Sequence, residues 1–298
     1  MNMKISVLLV LFLFSIMFSA RICAQDLDAG ITIIGKRNEE QLKKEGRSKL
    51  TITNNFGIGS KNGGYFKEGG FVVNTITAEG DFHIYKTTRI LTILPYSIIS
   101  GPAATIHGFG DMLVLCTSYF PFPGIGEWGV SLGAKFSSGS ADKNGLYQAY
   151  QPALGTNDLL IGVVKNAGLV NFAVAYQHPF DRSNNTYTKL KRGDDFMLRF
   201  GITQPFKKSF LQAEIIGIKR IQKSNILVFG SNPEQYVDVD NSNQFQVNLL
   251  GRFGCQTSEN IRLELYGNYA LLKRDDNSDG LSRLFSVAAS FILLFDLH

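Results

Sequence analysis

Apolar residues recur at every second position through segment after segment of this chain. That period restricts it to β structure, each strand with one apolar face and one small or polar face. Trp128, Val130, Leu132, Ala134 and Phe136 alternate with Gly129, Ser131, Gly133 and Lys135. Val170, Phe172, Val174 and Tyr176 alternate with Asn171, Ala173, Ala175 and Gln177, and Phe196, Leu198, Phe200 and Ile202 with Met197, Arg199, Gly201 and Thr203. The same grammar runs through Phe245–Phe253 and Ile261–Tyr269, and it opens with Leu50, Ile52, Phe56 and Ile58.

Alternation alone suits a water-soluble sandwich equally well. Connection lengths separate the two. Strands are expected near 49–59, 70–84, 88–99, 109–120, 127–137, 158–166, 169–178, 194–205, 209–221, 244–255, 260–272 and 284–297. Tight connections fall at Tyr85–Thr87, Pro121–Gly126, Ala167–Gly168, Phe206–Lys208 and Gln256–Glu259. Between them come long ones at Ser60–Gly69, Ser100–Gly108, Ser138–Asn157, Pro179–Gly193, Gln222–Asn243 and Lys273–Arg283. Short turns at one end and long loops at the other predict an all-β chain: a transmembrane antiparallel up-and-down β-barrel of about 12 strands, short turns in the periplasm. A bilayer offers no water to edge N–H and C=O groups, so the last strand must pair with the first. The face Phe285, Val287, Ala289, Phe291, Leu293, Phe295 and Leu297 suits that closing strand, although outer-membrane strands often end on an aromatic and this one ends on Leu297 and His298. The second and third strands are the least regular, because Arg89–Ile99 is apolar on both faces and carries Pro95, which cannot donate to a ladder.

Lys4, the apolar run Ile5–Phe18 and the small residues Ala20 and Ala24 have the layout of a signal peptide over residues 1–24, with the mature chain starting near Gln25. The run is shorter than the roughly 20 residues a spanning helix needs. Ile22 before Cys23 stands where a lipoprotein cysteine is preceded by a small residue. Beyond residue 24 no apolar stretch reaches spanning length, which excludes a bundle of membrane helices. Residues 25–48 read as a periplasmic leader, a short plug or an additional strand, ahead of a barrel over 49–298. Cys116 and Cys255 imply no disulfide framework, and the scattered basic residues give no footprint for nucleic acid.

The polar faces gather ionisable side chains: Glu79, Asp81 and His83, then Lys135, Arg199, Glu214, Arg252, Arg262 and Glu264. A lysine or arginine turned to lipid costs about 2–4 kcal/mol near the midplane, so these are expected to face the lumen. There they either line a path with an electrostatic preference or pair across the lumen and shut it.

Three other constellations carry less. His178, Asp181 and Ser183 place a triad's residue types together, as a membrane lipid hydrolase would need, but the serine falls in a loop out of step with the strand. Asp275, Asn277, Asp279 and Gly280 match the first half of a calcium loop, whose twelfth position is Ser286 in place of glutamate. An Asp/Asn/Gly turn accounts for them more simply. No cofactor motif or metal-ligand spacing is present, and no catalytic residue is assigned.

Gly108-Phe-Gly-Asp111, the stretch GVSLGAKFSSG over 129–139 and QPALGTND over 151–158 resemble the outer-membrane β-barrel family named for the meta-pathway of phenol degradation. That family shows a G-x-G-D opening a strand, a Pro-Thr-Gly-like turn, here Ser137-Ser138-Gly139, and a Gly-Thr-Gly-Ser-x-Asp-like loop, here Gly155-Thr156-Asn157-Asp158. The resemblance covers about a third of the chain and implies a transporter-like barrel for small or hydrophobic compounds; its phenol label is not carried over. Asp111 is expected to cap a turn. The expectation is a non-enzymatic barrel in the Gram-negative outer membrane, in contact with its lipid, passing small hydrophobic or polar solutes. The alternative is a closed structural or surface-binding barrel with long external loops.

Overall fold

The computed structural model describes residues 47–61, 68–85, 87–122, 126–274, 277–280 and 282–296. The expected leader 1–24 with Cys23, residues 25–46 of the following segment, Asp275, Asp276, Leu297 and His298 lie outside the described residues. The strands are β1 (Ser48–Lys61), β2 (Glu68–Tyr85), β3 (Thr88–Ser100), β4 (Thr105–Phe109), β5 (Met112–Phe122), β6 (Gly126–Phe136), β7 (Asp158–Ala167), β8 (Val170–Pro179), β9 (Asp195–Pro205), β10 (Ser209–Arg220), β11 (Asn225–Leu227), β12 (Tyr236–Asp238), β13 (Phe245–Gln256), β14 (Ile261–Leu272) and β15 (Ser282–Phe295). Pairing is antiparallel throughout, and β1 bonds to both β2 and β15, which closes the ring. Since β4 and β5 both pair with β3 and act as one broken strand, the barrel has twelve staves. The remaining pair, β11 and β12, is a hairpin within a loop.

Strand parity places side chains as the alternation predicts. Ile52, Val130, Leu132, Ile161, Phe172, Leu198, Phe200, Ile215, Leu249, Phe253, Phe291 and Leu293 all stand exposed on the outer wall, each 39–57% accessible. A continuous apolar band of this kind on a closed barrel is a lipid-facing surface. Trp128, with Lys165 Nζ 5.0 Å from its ring, marks the short-turn rim, as interfacial aromatics do.

Pro95 explains the broken strand. Without an N–H it leaves a gap in the ladder, so β4 pairs with Tyr96–Ser100, β5 pairs with Thr88–Ile93, and the chain bulges between them at Gly110 and Asp111. Gly110 N–H donates to Pro95 O at 2.8 Å, and a Cβ at Gly110 would lie 2.7 Å from Pro95 Cγ and 3.1 Å from Pro152 O. Gly110→Ala is therefore expected to lower the urea midpoint of unfolding by the equivalent of about 1–3 kcal/mol. Adding Pro95→Ala should recover part of that loss; no recovery would show that the contact with Pro95 is not its source.

Two expectations about loops need correcting. The connection placed at Ser100–Gly108 is only residues 101–104, because β4 resumes at Thr105. The long connection after β6 does not project outward: residues 147–156 are buried without a break. A 3-10 turn, Gln148–Tyr150, seats Tyr147, Ala149 and Tyr150 against Phe71, Val73, Ile99 and Ile106 inside the long-loop mouth, with Phe71 and Tyr150 rings 4.9 Å apart. An apolar loop segment gains about 25 cal/mol per Å² by leaving water, and the mouth supplies the apolar wall to receive it.

Candidate permeation path

Every ionisable residue assigned to the lumen from the sequence lies on the inner face of its strand, and the structure sorts them into three places. Arg199 on β9, Glu214 on β10, Arg252 on β13, and Arg262 and Glu264 on β14 form one group at the middle and short-turn half. Arg252 Nε and Nη2 donate to the two oxygens of Glu264 at 2.9 and 2.7 Å, Arg262 Nε lies 3.2 Å from Glu264, and Arg199 Nε lies 3.7 Å from Glu214. Tyr266 Oη also donates to Glu264, and Arg252 reaches Gln212 at 3.1 Å. Asp81 stands apart, clasped by Arg89, which sequence reasoning left out; Arg89 Nε donates to it at 2.9 Å. Glu79 lies opposite Thr51 and Ile93, half-buried on the inner wall.

Lys135 belongs to a second, larger network at the long-loop mouth that sequence reasoning missed. Lys135 Nζ donates to Thr156 Oγ1 at 2.9 Å, lies 2.9 Å from Asp158 and 3.9 Å from Asp111, and Thr156 Oγ1 donates to Asp158 at 2.7 Å. Arg192 donates to Asp158 at 2.6 Å and lies 3.7 Å from Asp279. Arg220, fully buried, grips Asp195 through Nε at 3.0 Å and Nη2 at 2.8 Å, and closes on Asp279 with both Nη atoms. Arg274 reaches Asp195 at 3.4 Å. Asp111, Asp158, Asp195 and Asp279 thus face Lys135, Arg192, Arg220 and Arg274, four charges of each sign tying β6, β7, β9 and β10 to the bulge between β4 and β5 and to the loops before β9 and β15. Burial pushes the Asp279 acid up, but Arg220, then Arg192 and Arg274, hold it well below the usual carboxylate range. The carboxylate suggested as part of a calcium loop is therefore spent on arginine. Parity alone could have found Asp158, Asp195 and Arg220 at the inward ends of their strands; Arg192, Arg274 and Asp279 sit in loops, where no period marks them.

The stretches that carried the family resemblance converge here. Asp111 does cap a turn, though not a local one: Oδ1 accepts from Gly139 N–H at 3.2 Å, and Oδ2 from Leu154 and Gly155 N–H at 3.0 and 2.9 Å. Gly155 holds φ +68°, and a Cβ there would stand 2.6 Å from Ala141 Cβ. The bulge opposite Pro95 thus turns Asp111 inward to latch the loop. His178 instead pairs with Asp194 at 2.8 Å, while Ser183 Oγ accepts from Leu190 N–H at 3.1 Å, so these two side chains serve separate loop contacts.

A closed twelve-stave barrel with an apolar outer band and its charges turned inward is an outer-membrane β-barrel. Among solved structures, an outer-membrane channel from Pseudomonas putida F1 aligns with a TM-score of 0.62 at 10% identity, over 84% of this chain and 96% of that one. The NanC porin aligns at 0.46 and 11% identity, over 83% of this chain and 100% of its own. The translocator domain of the autotransporter NalP from Neisseria meningitidis aligns at 0.46 and 10%, over 87% and 92%. No protein family and no curated protein sequence matches the chain. At these identities the likeness is one of fold, and it is the Pseudomonas channel that carries it.

Proposed function

We propose that the protein is a passive outer-membrane channel for small solutes, exported through residues 1–24 and carrying residues 25–48 on the periplasmic side. The observation that supports it most is the paired, inward-facing charge at mid-height, Arg199, Glu214, Arg252, Arg262 and Glu264, in a barrel whose outer wall is given over to lipid. These pairs join neighbouring strands along the wall, Arg199 on β9 to Glu214 on β10 and Arg252 on β13 to Glu264 on β14, and so do not themselves bridge the lumen. The resemblance to a transporter-like family points the same way. In this reading those five residues, with Glu79, Asp81 and Lys135, set what passes. Reconstituted protein is expected to make liposomes swell in small solutes and to give unitary currents in planar bilayers; impermeable liposomes at verified insertion would sink the reading.

Glu264→Gln provides a second test, because Glu264 compensates both Arg252 and Arg262. Its neutralisation leaves three cations, Arg199, Arg252 and Arg262, with one remaining acid, Glu214, and should shift the zero-current potential in a salt gradient toward anion preference, with a several-fold change in permeability ratio. An unmoved potential would remove this group from the path. The alternative, a barrel closed at rest, draws support from the buried loop 147–156 over the mouth. It predicts that currents appear only when the loop latch is broken.

A further inference from the structure

The outer wall carries one carboxamide well inside its apolar band, counted among the described residues. Asn54 lies at the middle of β1, between Ile52 and Phe56 on the outward face, and its side chain is exposed. That carboxamide has no hydrogen-bond partner among the described residues. Register fixes its depth. Ile261 opens β14 at the short-turn end, and its row of partners runs through Leu293, Leu50, Gly80 and Thr92 to Leu159, one residue from the long-loop end of β7. The row therefore climbs the whole wall, roughly 3 Å per strand at the usual tilt. Asn54 stands two strands along it and four residues farther up, about 16 Å above the short-turn rim in a band about 25 Å tall. Asn74, outward on β2, reaches the upper edge of the band by the same count, and the outward Thr92 hydroxyl donates to Gly80 O at 3.4 Å. Asn54 is too short to reach either interface, and hydrocarbon supplies neither donor nor acceptor.

The wall around Asn54 is shaped to receive another wall. At about its height the outward positions are small: Ala78 on β2, Ala289 on β15, Gly267 on β14 and Gly251 on β13. A Cβ added at Gly251 or Gly267 would meet nothing within 4 Å, so this register pair opens a shallow trough between Leu249, Phe253, Leu265 and Tyr269. The far side of the barrel carries Leu132, Ile161, Phe172 and Leu198 in the same band, all exposed and bulky. A carboxamide donates and accepts at once, so a second copy of the same residue completes it. Barrels inserted in one orientation are related by rotation about the membrane normal, which brings a residue near the axis to its counterpart at the same height. Small residues at that height let the two walls approach until the amides meet.

We propose that two copies of this chain pair in the outer membrane through the face β13–β14–β15–β1–β2, the Asn54 carboxamides exchanging two N–H···O hydrogen bonds across a twofold axis. The contact lies outside the lumen, so it stands or falls separately from the channel reading.

Energy transfer between dye-labelled copies of the full chain in phospholipid vesicles tests it. Cys116→Ala and Cys255→Ala remove the free thiols, and donor or acceptor is attached at Lys207→Cys, an exposed position on a short turn. Transfer is expected to rise with the protein-to-lipid ratio and to fit pairs. Asn54→Leu, which suits lipid and breaks no contact within the barrel, should raise the dimer dissociation constant about ten-fold or more. Gly267→Leu, which fills the trough, should weaken pairing likewise, whereas Leu198→Ala on the far wall should leave it unchanged. Each variant is compared as the folded barrel, verified by its β-sheet circular dichroism. Four results would each overturn the contact: transfer no greater than between randomly placed barrels, a fit to trimers, native-strength pairing of Asn54→Leu or Gly267→Leu, or equal weakening by Leu198→Ala.

Discussion

Arg220→Ala is expected to cost the folded barrel about 3–5 kcal/mol, the usual loss when one partner leaves a buried ion pair. The lower half of that range is the better expectation, because Arg274 and Arg192 still stand 3.4 and 3.7 Å from Asp195 and Asp279. Arg220 is fully buried and bonds both carboxylates at once, joining β9 and β10 to the loop before β15. The pH dependence should change sign. In the native protein Asp279 is held well below its ordinary value, so its contribution is complete above the unfolded carboxylate range and lost only as pH falls through the lower folded value. Without Arg220 the largest attraction is gone while burial remains, and protonation relieves the site. Urea midpoints read from Trp128 fluorescence at pH 7 and pH 5 should therefore be nearly equal for the native chain and higher at pH 5 for the variant. Parallel pH responses in the two proteins would mean that Arg220 does not hold Asp279.

The barrel was legible because a lipid-facing wall imposes a strict rule. Each strand that spans apolar solvent must put every second residue outside, and Val130–Phe136 or Phe196–Ile202 obey it without exception. Inward charges followed from the same parity, which is why Lys135, Arg199, Glu214, Arg252, Arg262 and Glu264 all lie where the period puts them. Their partners divide by location. Arg89 was hidden in a segment apolar on both faces, irregular because Pro95 breaks the pairing of its neighbour. Arg192, Arg274 and Asp279 come from loops, and a loop has no period from which direction can be read. The inward turn of residues 147–156 is the largest such gap. Tyr147, Ala149, Tyr150, Pro152, Ala153 and Leu154 show that the segment needs a dry surface. Only the assembled mouth shows that Phe71, Val73 and Ile99 supply one.

Asp111→Ala should free that loop and produce the largest change in conduction. One carboxylate accepts three backbone N–H groups, from Gly139, Leu154 and Gly155, and hydrogen bonds to a charged acceptor contribute about 1.5–3 kcal/mol each. Alanine removes all three and leaves the buried amides of Leu154 and Gly155 without their acceptor, whereas Asp158 still holds Lys135 at 2.9 Å and keeps the wall intact. The loop keeps its apolar seat on Phe71, Val73 and Ile99 and single bonds such as Ala103 N–H to Tyr150 Oη at 2.8 Å and Lys135 to Thr156 at 2.9 Å, but loses its one three-fold anchor, so it should leave the mouth for a measurable fraction of time. Two readouts follow independently. Unitary conductance should rise several-fold. Trypsin should cut after Lys143, which in the native protein is stapled by its N–H to Gln151 Oε1 at 2.8 Å and by Nζ to His107 O at 2.6 Å. Asp111→Asn keeps one accepting oxygen and should fall between the two proteins in both assays. Conductance and cleavage rates that match the native values would show that the loop is held by its aromatic seat and its other hydrogen bonds without Asp111, and that the bulge opposite Pro95 has no part in closing the mouth.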